Sequence, residues 1–519
     1  MKKYLIIAAS LMAVMPLAAQ ETYENAKIVT GDLNGTARYV GMGGAMEALG
    51  ADLSTISTNP AGIGLFRHSQ ANVSFGVVSQ QDGKDFADGN KTNMSFDQIG
   101  FVYSKKSNSN SYLNLAFNYH KSTNFNHILS AADNLSNASQ NKLSYQKLRN
   151  DYLYEFKTDG TPNYSAPYIT CSQLDDLYAR NLFYVAGDGY AYNYVATDYM
   201  LNRAHTGYIG EYDFNISGNI NDRIYLGVTF GFHDVHYKHY GEYTEAFVSN
   251  PENFGGIYVE DSREITGSGF DIKAGVIVRP IESSPFRIGL SVASPTWYDL
   301  KTTNYTVLTD GSARPYNTEV YDFKLYTPWK FGLSLGHTVG NYLALGASYE
   351  YADYGSTDSR VNDGDYYDYW YDTYYSSSSS DKAMNNHTKQ TLKGVSTLKV
   401  GLEYKPIADL ALRLGYNYVS PMYKEEGFKD GTIESYGTYY STTTDYTNWK
   451  ATNRFTCGVG YNIGKVSLDL AYQYSATNGS FSPFMNYYDN TDPAEDNIAN
   501  IVDVSKKRHQ VLFSLGYHF

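Results

Sequence analysis

The residue types that could do chemistry in this chain are scattered, and few stand at a working spacing. His233-Asp234-Val235-His236-Tyr237-Lys238-His239 offers three imidazoles in seven positions, a pattern suited to a metal or to haem. On an extended chain His233 and His239 share one face and His236 takes the other. Three-way ligation therefore needs a strand to end there, and the alternative is a set of exposed histidines at a strand–loop junction. Asp363, Asp365, Asp368 and Asp372 crowd one acidic stretch, but without the ligand spacing or glycine position of an EF-hand loop. Gly41-Met42-Gly43-Gly44 has Met46 where a dinucleotide loop needs its third glycine, and no strand precedes it. No Gly-x-Ser-x-Gly elbow occurs. Two cysteines, Cys171 and Cys457, exclude a disulfide scaffold and a cysteine-based zinc centre. No catalytic residue, bound metal or cofactor is expected.

The elements that would position any site are strands. The last residues, Val511 to Phe519, place apolar or aromatic side chains at every odd position. Such a period of two is the mark of a strand with one apolar face. The pattern recurs at Val466 to Tyr474, Phe455 to Tyr461, Leu410 to Tyr416, Leu398 to Tyr404 and Phe270 to Val278. Aromatics make up 16% of the chain while its mean hydropathy is −0.44, so the apolar residues are dispersed among polar ones. Dispersal of that kind suits a β-barrel in lipid and excludes a bundle of membrane helices, which need about 20 apolar residues in a row. Fourteen strands are expected, near 71–80, 97–105, 111–121, 206–218, 222–237, 265–279, 286–299, 318–338, 341–355, 392–405, 409–420, 450–462, 465–476 and 505–519. The links between them alternate short and long, as the periplasmic turns and exterior loops of a barrel do. The Tyr/Asp/Ser stretch from Asp363 to Ser380 reads as a solvated or mouth-capping loop, and Leu174 to Leu182 as a short helix.

Met1-Lys2-Lys3, the apolar run Leu5 to Leu17 and small residues Ala18 and Ala19 have the form of a secretory signal covering residues 1–20. The formal charge of −13 argues against a nucleic-acid partner. Residues 21–69 do not alternate. They read as short helical turns, with Asp52 as a cap and Asn59-Pro60 as a stop, because the residue before proline is pushed out of the helical region. About fifty residues are marginal as a free domain, so this segment is expected to plug the barrel formed by 70–519.

Here the chain resembles the FadL-type outer-membrane transporters of long-chain fatty acids and hydrocarbons. The resemblance is carried by Asn59-Pro60-Ala61-Gly62, by Asp52 and the glycine-rich stretch before it, by Tyr326-Thr327-Pro328, and by the terminal Phe519. It implies an all-β fold, a fourteen-stranded antiparallel barrel with an N-terminal hatch in the lumen. It also implies passive transport of hydrophobic small molecules, with capture at the exterior loops and exit through a kink in the third strand. On that strand Asn114, Ala116 and Asn118 would face inward, and Asn59 would hold the hatch against them. A carboxylate ligand would want a lumen cation, and parity offers Arg223, Lys273, Arg287, Arg413 and Arg454. Each also reads as one rung of a salt ladder with Glu211, Asp213, Asp271, Glu403 or Asp469. The implied surroundings are outer-membrane lipid and lipopolysaccharide, with the barrel-assembly machinery recognising Phe519 and the barrel monomeric. The alternative functions are a surface receptor for haem or another aromatic ligand, and a non-transporting adhesin or structural barrel.

Overall fold

Alternation builds one continuous antiparallel sheet. The structure, a computed structural model, describes residues 22–149, 154–156, 162–167, 184–185, 191–249, 255–309, 316–370, 372–430, 445–489 and 492–519. The expected signal segment, Cys171 and the expected helix at Leu174–Leu182 lie outside the described residues. The sheet contains β1 (Gln70–Gln80), β2 (Thr92–Asn108), β3 (Ser111–Asn124), β4 (His127–Asn134), β5 (Ala196–Ile220), β6 (Ile224–Phe247) and β7 (Gly256–Val278). It continues with β8 (Arg287–Ala293), β9 (Trp297–Thr309), β10 (Tyr316–Tyr326), β11 (Lys330–Val339), β12 (Leu343–Asp353), β13 (Asp358–Asp368) and β14 (Thr373–Ser380). It ends with β15 (Gly394–Ile407), β16 (Leu410–Val419), β17 (Tyr446–Ile463), β18 (Val466–Ser482) and β19 (Val502–His518). Several of these are halves of one stave, β3 with β4, β8 with β9, and β10 with β11, while β13 and β14 form a hairpin between β12 and β15, which pair directly, and add no stave of their own. Fourteen staves result, and β1 pairs with β19 from Gln70–His518 to Gln80–Arg508, which closes the barrel and removes both edges.

The outer face explains the alternation. On β6 the outward residues Ile224, Leu226, Val228, Phe230 and Phe232 are exposed, and beyond them come Asp234, His236 and Lys238. The apolar run is about nine residues tall, the span a tilted strand needs to cross hydrocarbon. A row of rings, Phe117, Phe214, Phe232, Phe270 and Trp297, winds across neighbouring staves with centroids 5.0 to 6.1 Å apart. Such a girdle marks the interface between lipid and water.

The staves run further outward than alternation suggested. β5, β6 and β7 extend to Ala196, Phe247 and Gly256, so the expected loop over 238–264 shrinks to its tip. Above the lipid both faces of a strand are polar, and the period of two disappears from the sequence while the hydrogen-bond ladder continues. The Asp363 to Ser380 stretch is likewise a hairpin, β13 with β14, rather than a bare loop. Two staves are broken by proline. Pro295 and Pro328 interrupt β8/β9 and β10/β11 at the same height, where Thr296 N donates to Thr327 Oγ1 at 2.7 Å.

Residues 22–69 lie inside the lumen. Helix α1 (Thr22–Val29) stands in its outer half, where Tyr23 stacks on Tyr423 and Thr22 meets helix Lys382–Thr391 through His387 and Thr388. The chain then descends to α2 (Ala37–Gly41) and two 3₁₀ turns, Leu53–Ser57 and Pro60–Leu65. Asp52 accepts from Ser54 N and from Thr36 Oγ1, and Asn59 accepts from Ala61 N, so each turn starts on a side-chain cap. The lower plug seats on glycines. A methyl group on Gly346, Gly401 or Gly415 would overlap the main chain of Ala45, Met42 or Gly43. Polar side chains of the wall satisfy the plug's backbone: Asn114 reaches Ile63 O at 2.7 Å, Thr229 reaches Ile56 O at 2.9 Å, and Arg287 reaches Leu49 O at 3.0 Å.

Candidate functional site: the cavity above the plug

Above the plug the lumen opens into a cavity of about 430 Å³. Its floor is Thr30 to Asn34 with Ser57 and Thr58, and its walls carry Tyr23, Phe125, Tyr237, Tyr298, Tyr354, Tyr423, Tyr446 and Trp449. Tyr23 comes from the plug helix and the other tyrosines from staves or loops of the wall. Tyr23 is the centre of the stack: its ring lies 5.2 Å from Tyr423 and 5.0 Å from Tyr446, and its hydroxyl donates to Asn448.

Charge is unevenly distributed around the cavity. Arg508 donates to Asp32 Oδ1 at 2.8 Å, Arg454 lies 3.7 Å from the same oxygen, and Lys506 lines the wall beside them. The Lys506 side chain makes no hydrogen bond or ion pair with any described residue, and burial beside Arg508 and Arg454 lowers the pKa of its ammonium to about 7, so two guanidinium groups and a readily charged amine face a single carboxylate. Burial opposes ionisation of Asp32, but Arg508, Lys506 and Arg454 outweigh it and hold the carboxyl well below its usual range.

The wall itself parts beside this cavity. The ladder between β2 and β3 ends at Gln98–His120, so Thr92 to Phe96 pair only with β1, Asp97 sits at an irregularity of that ladder, and Lys121 onward pairs only with β5. β3 bulges between Lys121 and Thr123. The plug takes over the freed backbone: Asp32 N donates to Ser122 O, Asn124 N donates to Asp32 Oδ2, and Thr123 Oγ1 donates to Thr30 O. Side chains alone cross the gap, with Lys121 Nζ on Ser95 Oγ at 2.7 Å and Asn34 on Asp97 at 3.0 Å. A small second cavity joins Asp32, Leu33 and Asn34 to Asp97 and Lys121.

The residues singled out from sequence fall in several places. Asn59, Pro60, Ala61 and Gly62 form the buried start of the second 3₁₀ turn. Asn59 faces Gly275 and Gly289 on β7 and β8, not the third stave, so the expected contact with Asn114, Ala116 and Asn118 is corrected. Those three lie below the gap, in closed wall. Asn114 binds the plug, Ala116 packs on Leu53, Ile56 and Ile63, and Asn118 accepts from Gln98. Of the five cations, Arg223 is an exposed turn residue donating to Pro280 O, which corrects its inward placement: parity fails where the strand has ended. Lys273 is held by Glu211, Asp213 and Asp271, and Arg413 by Glu403 and Asp469, as rungs of salt ladders. Arg287 anchors the plug, and only Arg454 belongs to the cationic side of the cavity. The three histidines of 233–239 do not converge. His233 binds Asp271, His239 binds Asp261, and His236 points outward to Asp234. Sequence reasoning missed Lys506 and Arg508, although Lys506-Lys507-Arg508 is a visible basic run inside the last stave. It also missed Asp97 and Lys121.

A closed fourteen-stave antiparallel barrel with a lipid-facing belt and a filled lumen is an outer-membrane β-barrel of the FadL type in its fold. No family model matches the chain, and no curated protein is detectably similar to it in sequence. Among solved structures, it resembles a Pseudomonas aeruginosa FadL homologue at TM-score 0.50 and 12% identity, over 94% of this chain and 99% of that one. The Ralstonia pickettii toluene transporter TbuX aligns at TM-score 0.45 and 12% identity, over 94% and 99% of the two chains. The CymD monoaromatic hydrocarbon channel aligns at 0.46 and 9%, over 95% and 98%.

Proposed function

We propose that the chain is a passive outer-membrane transporter of hydrophobic compounds, long-chain fatty acids or similar amphiphiles. The observation that carries this reading is the cavity: ring-lined, placed directly above a plug, and bearing cations in excess of its carboxylates beside Lys506. A hydrocarbon chain lies against Tyr23, Tyr423, Tyr446 and Trp449, and a carboxylate head meets Lys506 and Arg508 through charge-assisted bonds. The end of the β2–β3 ladder supports a sideways exit, because a ligand leaving past Asp97 and Lys121 breaks no backbone bond between the two strands. No energy coupling is needed for that route. Asn59 acts by capping the turn that seats the plug, so its loss alters transport without unfolding the barrel. Export through residues 1–20 and assembly guided by Phe519 complete the reading.

The test is uptake of labelled oleate by a bacterium lacking its own fatty-acid channel, with wild type and Asn59→Ala at equal surface levels. Saturable uptake that falls in the variant is expected. No uptake from a folded, surface-exposed barrel overturns the proposal, and a Soret shift on adding haem would transfer the weight to the receptor reading.

A further inference from the structure

His120, Glu211 and Asp213 form a group that the transport reading does not use. They sit on adjacent staves, with His120 opposite Glu211 and Asn118 opposite Asp213, so parity turns all three into the lumen. All are more than nine-tenths buried, and His120 and Glu211 line the cavity. Lys273 engages only one oxygen of each carboxylate, Glu211 Oε1 at 2.5 Å and Asp213 Oδ1 at 3.3 Å. The second oxygens face His120 instead. Its Nε2 lies 3.5 Å from Glu211 Oε2 and its Nδ1 lies 3.7 Å from Asp213 Oδ2.

Those separations are too long for hydrogen bonds, which close at about 2.7 to 3.2 Å. Both His120 Nδ1 and Asp213 Oδ2 are buried with no hydrogen-bond partner, an arrangement proteins rarely leave without a ligand. Ligand atoms about 2.0 to 2.2 Å from a tetrahedral ion stand roughly 3.3 to 3.6 Å apart, and the three side chains offer ligand atoms all within 4.8 Å of one another. Charge points the same way. Within ion-pair distance three carboxylates, Glu211, Asp213 and Asp271, share the one ammonium of Lys273, and His120 and His233 are the remaining basic groups beside them.

We propose that His120, Glu211 and Asp213 bind one divalent cation of the zinc class. An imidazole with two carboxylates selects a borderline transition ion over calcium or magnesium, which take oxygen alone. The ion ties the third stave to the fourth at the lower rim of the gap between β2 and β3. His233, bound to Asp271, flanks the site with its Nδ1 3.9 Å from Glu211 Oε2.

The full chain, purified in detergent micelles and stripped with a chelator, is titrated with zinc chloride by calorimetry. One ion per chain is expected, with affinity more than about a hundredfold weaker in His120→Gln and in Asp213→Asn. The control His239→Gln, which lies in a separate ion pair with Asp261, should bind as wild type does. Cobalt(II) added to the wild type should give the intense visible bands of a four-coordinate ion, a readout that does not depend on the variants folding. Absence of saturable zinc binding, six-coordinate cobalt spectra, or binding unchanged in His120→Gln would each overturn the site.

Discussion

The lower and upper halves of the lumen treat the same staves in opposite ways. Below, the wall presents glycine and short polar side chains, and the plug's backbone lies directly on Gly346, Gly401 and Gly415. Above, the wall presents tyrosines and charged groups that stand off from one another and leave about 430 Å³ open. Sealing needs backbone-to-backbone approach, which only glycine allows, whereas holding an amphiphile needs flat apolar rings and a few fixed charges. Seal and binding site are thus one barrel read at two heights.

Substitutions should separate the two levels. The largest effect is expected at Glu403, which bridges Arg38 of the plug, at 3.0 and 3.1 Å, to Arg413 of the wall at 2.7 Å. Glu403→Gln removes the carboxylate partner of Arg38 and one of the two held by Arg413, and should cost about 3 kcal/mol in chemical unfolding of the purified barrel. Gly401→Val drives a side chain into Met42 and should cost about 2 kcal/mol while raising single-channel conductance in planar bilayers. Gly255→Ala, with nothing within 4 Å, should do neither. An unchanged conductance in Gly401→Val would mean that the lower level is not the seal.

Changes in the upper level should leave the fold intact and alter the ligand. Lys506→Gln is expected to weaken oleate binding by about 1.5 kcal/mol, a single charge-assisted bond, without affecting a neutral hydrocarbon of the same length. Equal losses for both ligands would remove the carboxylate role. Asn59→Ala should loosen the plug by about 1 kcal/mol, seen as faster proteolysis of residues 22–69 in a barrel that still migrates as folded. The smallest effect concerns pH. Asp32 is held well below the ordinary carboxylate value of about 3.9, so its stabilising contribution is present above that value and is lost as pH falls through the lowered one. The stability difference between wild type and Asp32→Asn should therefore shrink in strong acid, and it should also diminish as pH rises through about 7, where Lys506 beside Asp32 loses its charge.

Much of the barrel was legible because lipid imposes a strict rule on each outward residue. Ile224 to Phe232 and Val511 to Tyr517 could be assigned as strands residue by residue for that reason. Where the staves leave the membrane the rule lapses, and the alternation gives no sign that β5, β6 and β7 continue to Ala196, Phe247 and Gly256. The salt ladders around Lys273 and Arg413 were also legible, since parity and opposite charge suffice to pair them across neighbouring strands. Arg223 shows the limit, because a parity argument carried one residue past a strand end gives the wrong face.

The alternation and the basic run at 506–508 are local properties of the chain, set by which face each residue must show to lipid, and the sequence by itself determined them. The placement of Asn59 against Gly275, the parting of β2 from β3 beside Asp32, and the gathering of Tyr23, Tyr423 and Tyr446 are different in kind. Each joins segments more than a hundred residues apart or depends on how the plug settles in the closed lumen. Only the closed barrel decided them, because the tilt and stagger that bring distant staves to one height exist only once β1 has met β19.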